Sequence, residues 1–106
     1  MESDALISQI VDRIRAVAEP QRIVLFGSRA RGDARHLSDY DLLVVQESSL
    51  PRYKRSGALY AALADLPAEV DVLVYTPAEI EDWSAVPMAF VTTALREGRS
   101  IYERPR

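Results

Sequence analysis

The sequence predicts an α/β (α+β) domain with a small mixed β-sheet flanked by helices, and three observations carry that prediction. Arg22-Ile23-Val24-Leu25-Phe26 and Leu42-Leu43-Val44-Val45 are short apolar runs of strand length, bounded by polar residues or glycine. Glu69 to Tyr75 alternates, with Val70, Val72 and Val74 set against Asp71, Leu73 and Tyr75. Segments with apolar residues at helical spacing surround these strands.

The elements follow in order. Leu6, Ile7, Ile10, Val11, Ile14 and Val17 recur at helical spacing, which predicts an amphipathic first helix that starts near Ser3, ends by Pro20 and covers the sheet. The strand at Arg22 stops abruptly at Gly27-Ser28. A short helical turn around Ser28 to Arg31 and a loop through Arg35-His36-Leu37-Ser38 then lead into the second strand. Pro51 to Leu66 reads as a second long helix, with Tyr53, Leu59, Tyr60, Leu63 and Leu66 on its buried or half-buried side. Thr76-Pro77-Ala78-Glu79 is a capping box with proline at the first helical position, so the third strand ends at Tyr75 and passes directly to a short helix. Met88 to Glu97 makes a last helix, Gly98 suits its C-terminal cap, and Arg99-Ser100-Ile101-Tyr102 is an edge strand. Together they predict a sheet covered by helices on one side and open near its acidic residues.

A chain of 106 residues with 48% hydrophobic content is expected to form one small domain over residues 1–106, with a single core. It has no cysteine, which excludes disulfides and thiolate catalysis. No apolar stretch approaches the roughly 20 residues of a membrane span, and no signal-peptide pattern opens the chain, so the expected location is the cytoplasm. The net charge of −3 offers no broad attraction to nucleic acid, and no direct DNA binding is expected. Arginine supplies 12 of the 13 Lys and Arg residues, a bias that a GC-rich genome would produce, with selection for bidentate phosphate or carboxylate contacts as the alternative.

The chemistry begins where the first strand ends. Gly27 leaves room for a close approach, so backbone N–H groups and the Ser28 hydroxyl can contact a phosphate oxygen, with Arg29, Arg31 and Arg35 nearby in sequence. Alternation along a strand points Asp39 and Asp41 the same way, with Cα atoms about 7 Å apart, and turns Tyr40 and Leu42 to the other face. At about 5 Å and an effective dielectric near 20, two carboxylates repel by roughly 3 kcal/mol, which a hard divalent cation would relieve. Magnesium fits best, because one or two carboxylates plus substrate phosphates commonly hold it. Asp71, an acid inside an apolar strand, needs a partner or a task. If its strand lies beside that of Asp39 and Asp41, the three acids converge, and Asp71 can ligate a second metal or accept a proton from an attacking hydroxyl. The bland alternative is a turn acid followed by a buried ion pair.

At these residues, GSRARGDARHLSDYDLLVV from Gly27 to Val45 and EVDVLVY from Glu69 to Tyr75, the chain resembles the nucleotidyltransferases of the DNA polymerase β superfamily. Within them it is similar to the minimal nucleotidyltransferase (MNT) domains, including the antitoxins of HEPN/MNT toxin–antitoxin pairs. The resemblance implies a palm-like fold. It assigns Gly27, Ser28 and Arg31 to the nucleotide triphosphate, Asp39 and Asp41 to magnesium, and Asp71 to the third carboxylate of the metal and catalytic set. It implies Mg2+ as cofactor and ATP as substrate. It further implies a hetero-oligomeric partner, a HEPN ribonuclease toxin neutralised by transfer of AMP to a tyrosine. Two other readings stay open: a nucleotidyltransferase subunit acting on a small-molecule acceptor, and an antitoxin acting by binding alone.

Other residues read more plainly. His36, the only histidine, falls in a polar loop and is expected to be solvated. Trp83 either caps the core or anchors a partner. Arg52, Lys54 and Arg55 form a wet face or meet a phosphate or an acidic partner, a helix start being a poor place for cations.

Overall fold

A computed structural model describes residues 2–27, 40–83 and 90–105. Its helices are α1 (Glu2–Val17), α2 (Gly57–Leu63), α3 (Pro77–Trp83) and α4 (Phe90–Glu97), and its strands are β1 (Arg22–Phe26), β2 (Tyr40–Val45), β3 (Val70–Tyr75) and β4 (Arg99–Glu103). The expected turn at Ser28–Arg31 and loop at Arg35–Ser38 lie outside the described residues, as do Met88 and Ala89 of the expected last helix.

The strands form one mixed sheet in the order β3-β2-β1-β4. β1 runs antiparallel to β2 and to β4, while β2 and β3 are parallel. Alternation sorts the side chains as the sequence predicts. Ile23 and Leu25 of β1, Tyr40, Leu42 and Val44 of β2, and Val72 and Val74 of β3 share one core with Ile10 and Ile14 of α1 and Leu59 and Leu63 of α2. Val24, Leu43 and Tyr75 form a second core with Val91 and Ala94 of α4, against which Ile80 of α3 packs.

Helices therefore cover both faces of the sheet, not one as expected. The reason is in β1 and β2, whose runs are continuously apolar and not alternating, the pattern of strands buried on both sides. In β3 the second face carries Asp71 and Leu73, which are both exposed.

The long helix expected over Pro51 to Leu66 is instead a 3-10 turn at Arg52–Lys54 followed by the shorter α2. Gly57 weakens helix propagation. Arg55 between the two pieces is drawn away, its guanidinium donating to the carbonyls of Leu50 at 2.8 Å and Val74 at 3.3 Å. Tyr53 is consequently 80% exposed, not on the buried side. Tyr60, also exposed, lies along the sheet edge, where its hydroxyl accepts the Val72 N–H at 2.9 Å.

The capping box forms as expected: Thr76 N–H donates to the Glu79 carboxylate at 2.9 Å and Glu79 N–H donates to the Thr76 hydroxyl at 3.2 Å. Gly98 follows α4 for a different reason from the left-handed cap. Its N–H donates to the Ala94 carbonyl at 2.8 Å, and a Cβ placed there would fall 2.5 Å from both that carbonyl oxygen and Val24 Cγ1. Close packing of the α4–β4 turn on β1 excludes a side chain.

Candidate active site

Three of the sequence-predicted site residues lie within the described chain, and the fold brings them together. Gly27 ends β1, Asp41 is the second residue of β2, and Asp71 is the second residue of β3. β2 and β3 start together, Tyr40 N–H donating to the Glu69 carbonyl at 2.9 Å. The parallel register then sets Asp41 directly opposite Asp71. Neighbouring strands lie about 4.8 Å apart, so the two carboxylates leave the same sheet face as close neighbours. Tyr40 and Leu42, flanking Asp41, are buried in the opposite core.

Gly27 adopts φ +76, the only positive φ among the described residues. A Cβ at this position would lie 2.5 Å from Asp41 Oδ2. Glycine is thus required twice, by backbone conformation and by the carboxylate against it. The backbone itself forms one wall of the Asp41 site.

The two acids differ in surroundings. Asp41 is half-buried and engaged by its neighbours, whereas Asp71 is exposed. Beyond Asp71 on the same face come Leu73 and then Tyr75. Tyr75 is closed off, its ring 4.6 Å beneath the Arg52 guanidinium. Leu73, on the same face, is exposed.

Ser28, Arg31 and Asp39 fall outside the described residues. Among the described residues no group of three or more His, Cys, Asp or Glu side chains is placed to hold a metal. Asp41 and Asp71 contribute two. Their chemistry fits a hard cation, carboxylate oxygens being the ligands that magnesium takes.

Of the basic cluster after Pro51, Arg52 and Arg55 are tied into the fold, while Lys54 stays exposed beside Tyr53. Arg55 donates through Nη1 to Glu79 Oε1 at 2.6 Å, and Arg52 Nη2 lies 3.6 Å from Glu79 Oε2. The hydrogen bond from Arg55 is the main cause that brings the Glu79 carboxyl down to about 2. This network ties the turn before α2 to the start of α3, at the far end of β3 from Asp71. The local sequence showed the capping box and the cations but not their pairing. Trp83 is 39% exposed, and its carbonyl accepts the Thr92 hydroxyl at 2.8 Å, linking α3 to α4. A cavity of about 550 Å3 lined by Arg22, Val45, Ile80, Leu95 and Glu103 also lies at the far end of the sheet from the acids. Among the described residues no helix is long and apolar enough to cross a membrane.

A family model described as Polymerase beta, Nucleotidyltransferase matches residues 8–106. No curated protein matches the chain. Among solved structures, a toxin–antitoxin with AMP-PNP is similar at 23% identity and a TM-score of 0.63, over 92% of this chain and 73% of that one. A mutant toxin–antitoxin is similar at 20% identity and 0.61, over 92% and 73%. The MntA–HepT toxin–antitoxin is similar at 20% identity and 0.57, over 95% and 73%. At these identities the likeness is one of fold.

Proposed function

Because the chain belongs to the polymerase β nucleotidyltransferase family, and is a nucleotidyltransferase, we propose that it moves AMP from ATP to a tyrosine on a HEPN-type toxin and so acts as the antitoxin of a pair. One observation carries the catalytic part of this reading: Asp41 and Asp71 are in register on one sheet face, with the Gly27 backbone against the Asp41 carboxylate.

The residues divide the work. Gly27 and Ser28 bind the triphosphate through backbone N–H groups and the hydroxyl, and Arg31 adds a cation. Asp39, Asp41 and Asp71 would hold Mg2+, which when bound neutralises charge on the phosphates and on the leaving pyrophosphate. The more exposed Asp71 accepts the proton of the acceptor hydroxyl. The new bond joins the acceptor oxygen to the α-phosphorus, and the bond to the β,γ-pyrophosphate breaks with its electron pair on the departing oxygen. Attachment of AMP to a tyrosine of a ribonuclease replaces a neutral phenol with an anionic phosphodiester, a change able to disable an RNA-binding surface.

The toxin partner rests on similarity to toxin–antitoxin structures that include one with AMP-PNP. The test is co-expression with the protein encoded beside this one, followed by the intact mass of that partner. Added AMP with the wild type and none with Asp41→Asn is the expected result. A stable complex with an unmodified partner would instead favour inhibition by binding.

A further inference from the structure

β3 and β4 are the edge strands of the sheet, and an edge strand offers its outer N–H and C=O groups to any strand able to pair with them. β4 carries a charge at each end, Arg99 and Glu103, and its register on β1 shifts between Ile23 and Val24, an irregularity that spoils an edge for pairing. β3 is regular against β2, and Asp71 is the only charge in Val70-Asp71-Val72-Leu73-Val74-Tyr75. Short segments of such high β-propensity and low charge pair readily with their own kind. The groups that β3 turns outward are met by side chains instead. The Glu69 and Tyr75 carbonyls accept N–H groups of Tyr40 and Gln46 on the β2 side, so by alternation Val72 and Val74 face the outer edge. There the Tyr60 hydroxyl accepts Val72 N–H at 2.9 Å and lies 3.5 Å from the Val72 carbonyl. Arg55 Nη1 donates to the Val74 carbonyl at 3.3 Å and is itself held by Glu79 at 2.6 Å.

We infer that Tyr60 guards the β3 edge: its phenol takes the place of a neighbouring strand at Val72 and, with Arg55 at Val74, keeps a second copy of this chain from pairing β3 to β3. A phenol hydroxyl both accepts and donates, the combination that an added strand would bring to one outward-facing residue. Tyr60 is 42% exposed, so water could satisfy its hydroxyl, and it is the strand that gains from the contact. Leu59 and Leu63 anchor α2 in the core, which fixes where the Tyr60 ring stands along the edge. β3 also carries Asp71, so two copies joined through this edge would each set a strand beside the other's acid site.

The test is self-association of the full chain, followed by sedimentation over a concentration series, together with hydrogen exchange of the Val72 amide. The proteins compared are wild type, Tyr60→Phe, Tyr60→Ala and Tyr60→Ala/Leu73→Lys. The wild type is expected to protect the Val72 amide. Tyr60→Phe, which keeps the ring and loses the hydroxyl, is expected to speed that exchange in dilute solution and to strengthen self-association by up to about tenfold, the scale of one hydrogen bond. Tyr60→Ala, which also clears the ring from the edge, should associate more strongly still. Leu73→Lys in that background should reverse the association by placing a charge on the strand. Wild-type exchange at Val72 as fast as at an exposed amide would overturn the guard whether or not the variants fold. Tyr60→Ala associating no more than wild type, or association that Leu73→Lys leaves intact, would overturn it as well.

Discussion

Asp41 and Asp71 are direct neighbours across the parallel β2–β3 ladder, one half-buried against Gly27 and the other open to water. Two like charges so placed oppose each other unless a cation lies between them. Asp41→Asn or Asp71→Asn is therefore expected to keep the fold and to lower nucleotidyl transfer at least about a hundredfold, the upper end of the loss on removing a group that only supports a metal ligand. Saturating Mg2+ with ATP should raise the melting temperature of the wild type, by about 2.7 kcal/mol of stability at a hundredfold excess over Kd. In Asp41→Asn that shift should largely vanish. An undiminished shift would mean that Asp41 holds neither metal nor metal-bound nucleotide.

Gly27 and Gly57 offer a controlled contrast. Alanine at position 27 meets both a positive φ and Asp41 Oδ2 at 2.5 Å, so Gly27→Ala should lose about 1–3 kcal/mol and disturb the carboxylate that it displaces. Gly57 has nothing within 4 Å of a built Cβ and is the first residue of α2. Gly57→Ala should gain roughly 0.5–1 kcal/mol from helix propensity alone. Urea unfolding of both variants measures the two signs side by side.

Acid should release the Arg55–Glu79 clamp. The Glu79 carboxyl lies at about 2 in the folded chain against an ordinary 4.5, held down first by the Arg55 hydrogen bond, then by Thr76 N–H and the charges of Arg55 and Arg52, with burial opposing. A carboxyl depressed by folding stabilises the fold at pH values above its unfolded value. Its contribution is thus complete above about pH 4.5 and fades as the pH falls towards 2. Glu79→Gln keeps an acceptor for Thr76 N–H but leaves the Arg55 cation, whose side chain is 8% exposed, without its counter-charge. The variant should lose about 2 kcal/mol at neutral pH and show a flatter decline of melting temperature between pH 4.5 and 2.

What was legible in the sequence, and what was not, follows from the range of each interaction. Alternation within a strand is local, and it correctly separated Tyr40 and Leu42 from Asp41, and Val72 and Val74 from Asp71. The Thr76–Glu79 capping box is equally local and formed as written. The meeting of Asp41 with Asp71 needed β2 and β3 to be neighbours, a condition the separate strands could only pose. The helix over Pro51 to Leu66 failed because Arg55 finds Glu79 and Val74 in a distant segment, and no window around Arg55 contains them. The second covered face could have been read from the unbroken apolar run of β1. Ser28, Arg31 and Asp39 fall outside the described residues, and their roles rest on resemblance and chemistry.

Gly98 shows how a correct residue can be expected for the wrong cause, and substitution separates the causes. A glycine ending a helix in the left-handed conformation tolerates asparagine comparatively well. Gly98 has no positive φ, and its built Cβ meets the Ala94 carbonyl oxygen and Val24 Cγ1 at 2.5 Å and the Leu25 carbonyl oxygen at 3.0 Å. Two of these three are backbone atoms of packed elements and cannot swing aside. Gly98→Ala should therefore cost about 1–3 kcal/mol, as overpacking does, by forcing the turn away from β1, where Arg99 pairs with Leu25. Gly98→Asn should cost at least as much, since a larger side chain begins with the same Cβ. The denaturation midpoints of the two variants decide the matter: asparagine milder than alanine would indicate a left-handed cap, and asparagine equal or worse is the outcome expected from the close approach of α4 and β4 to β1.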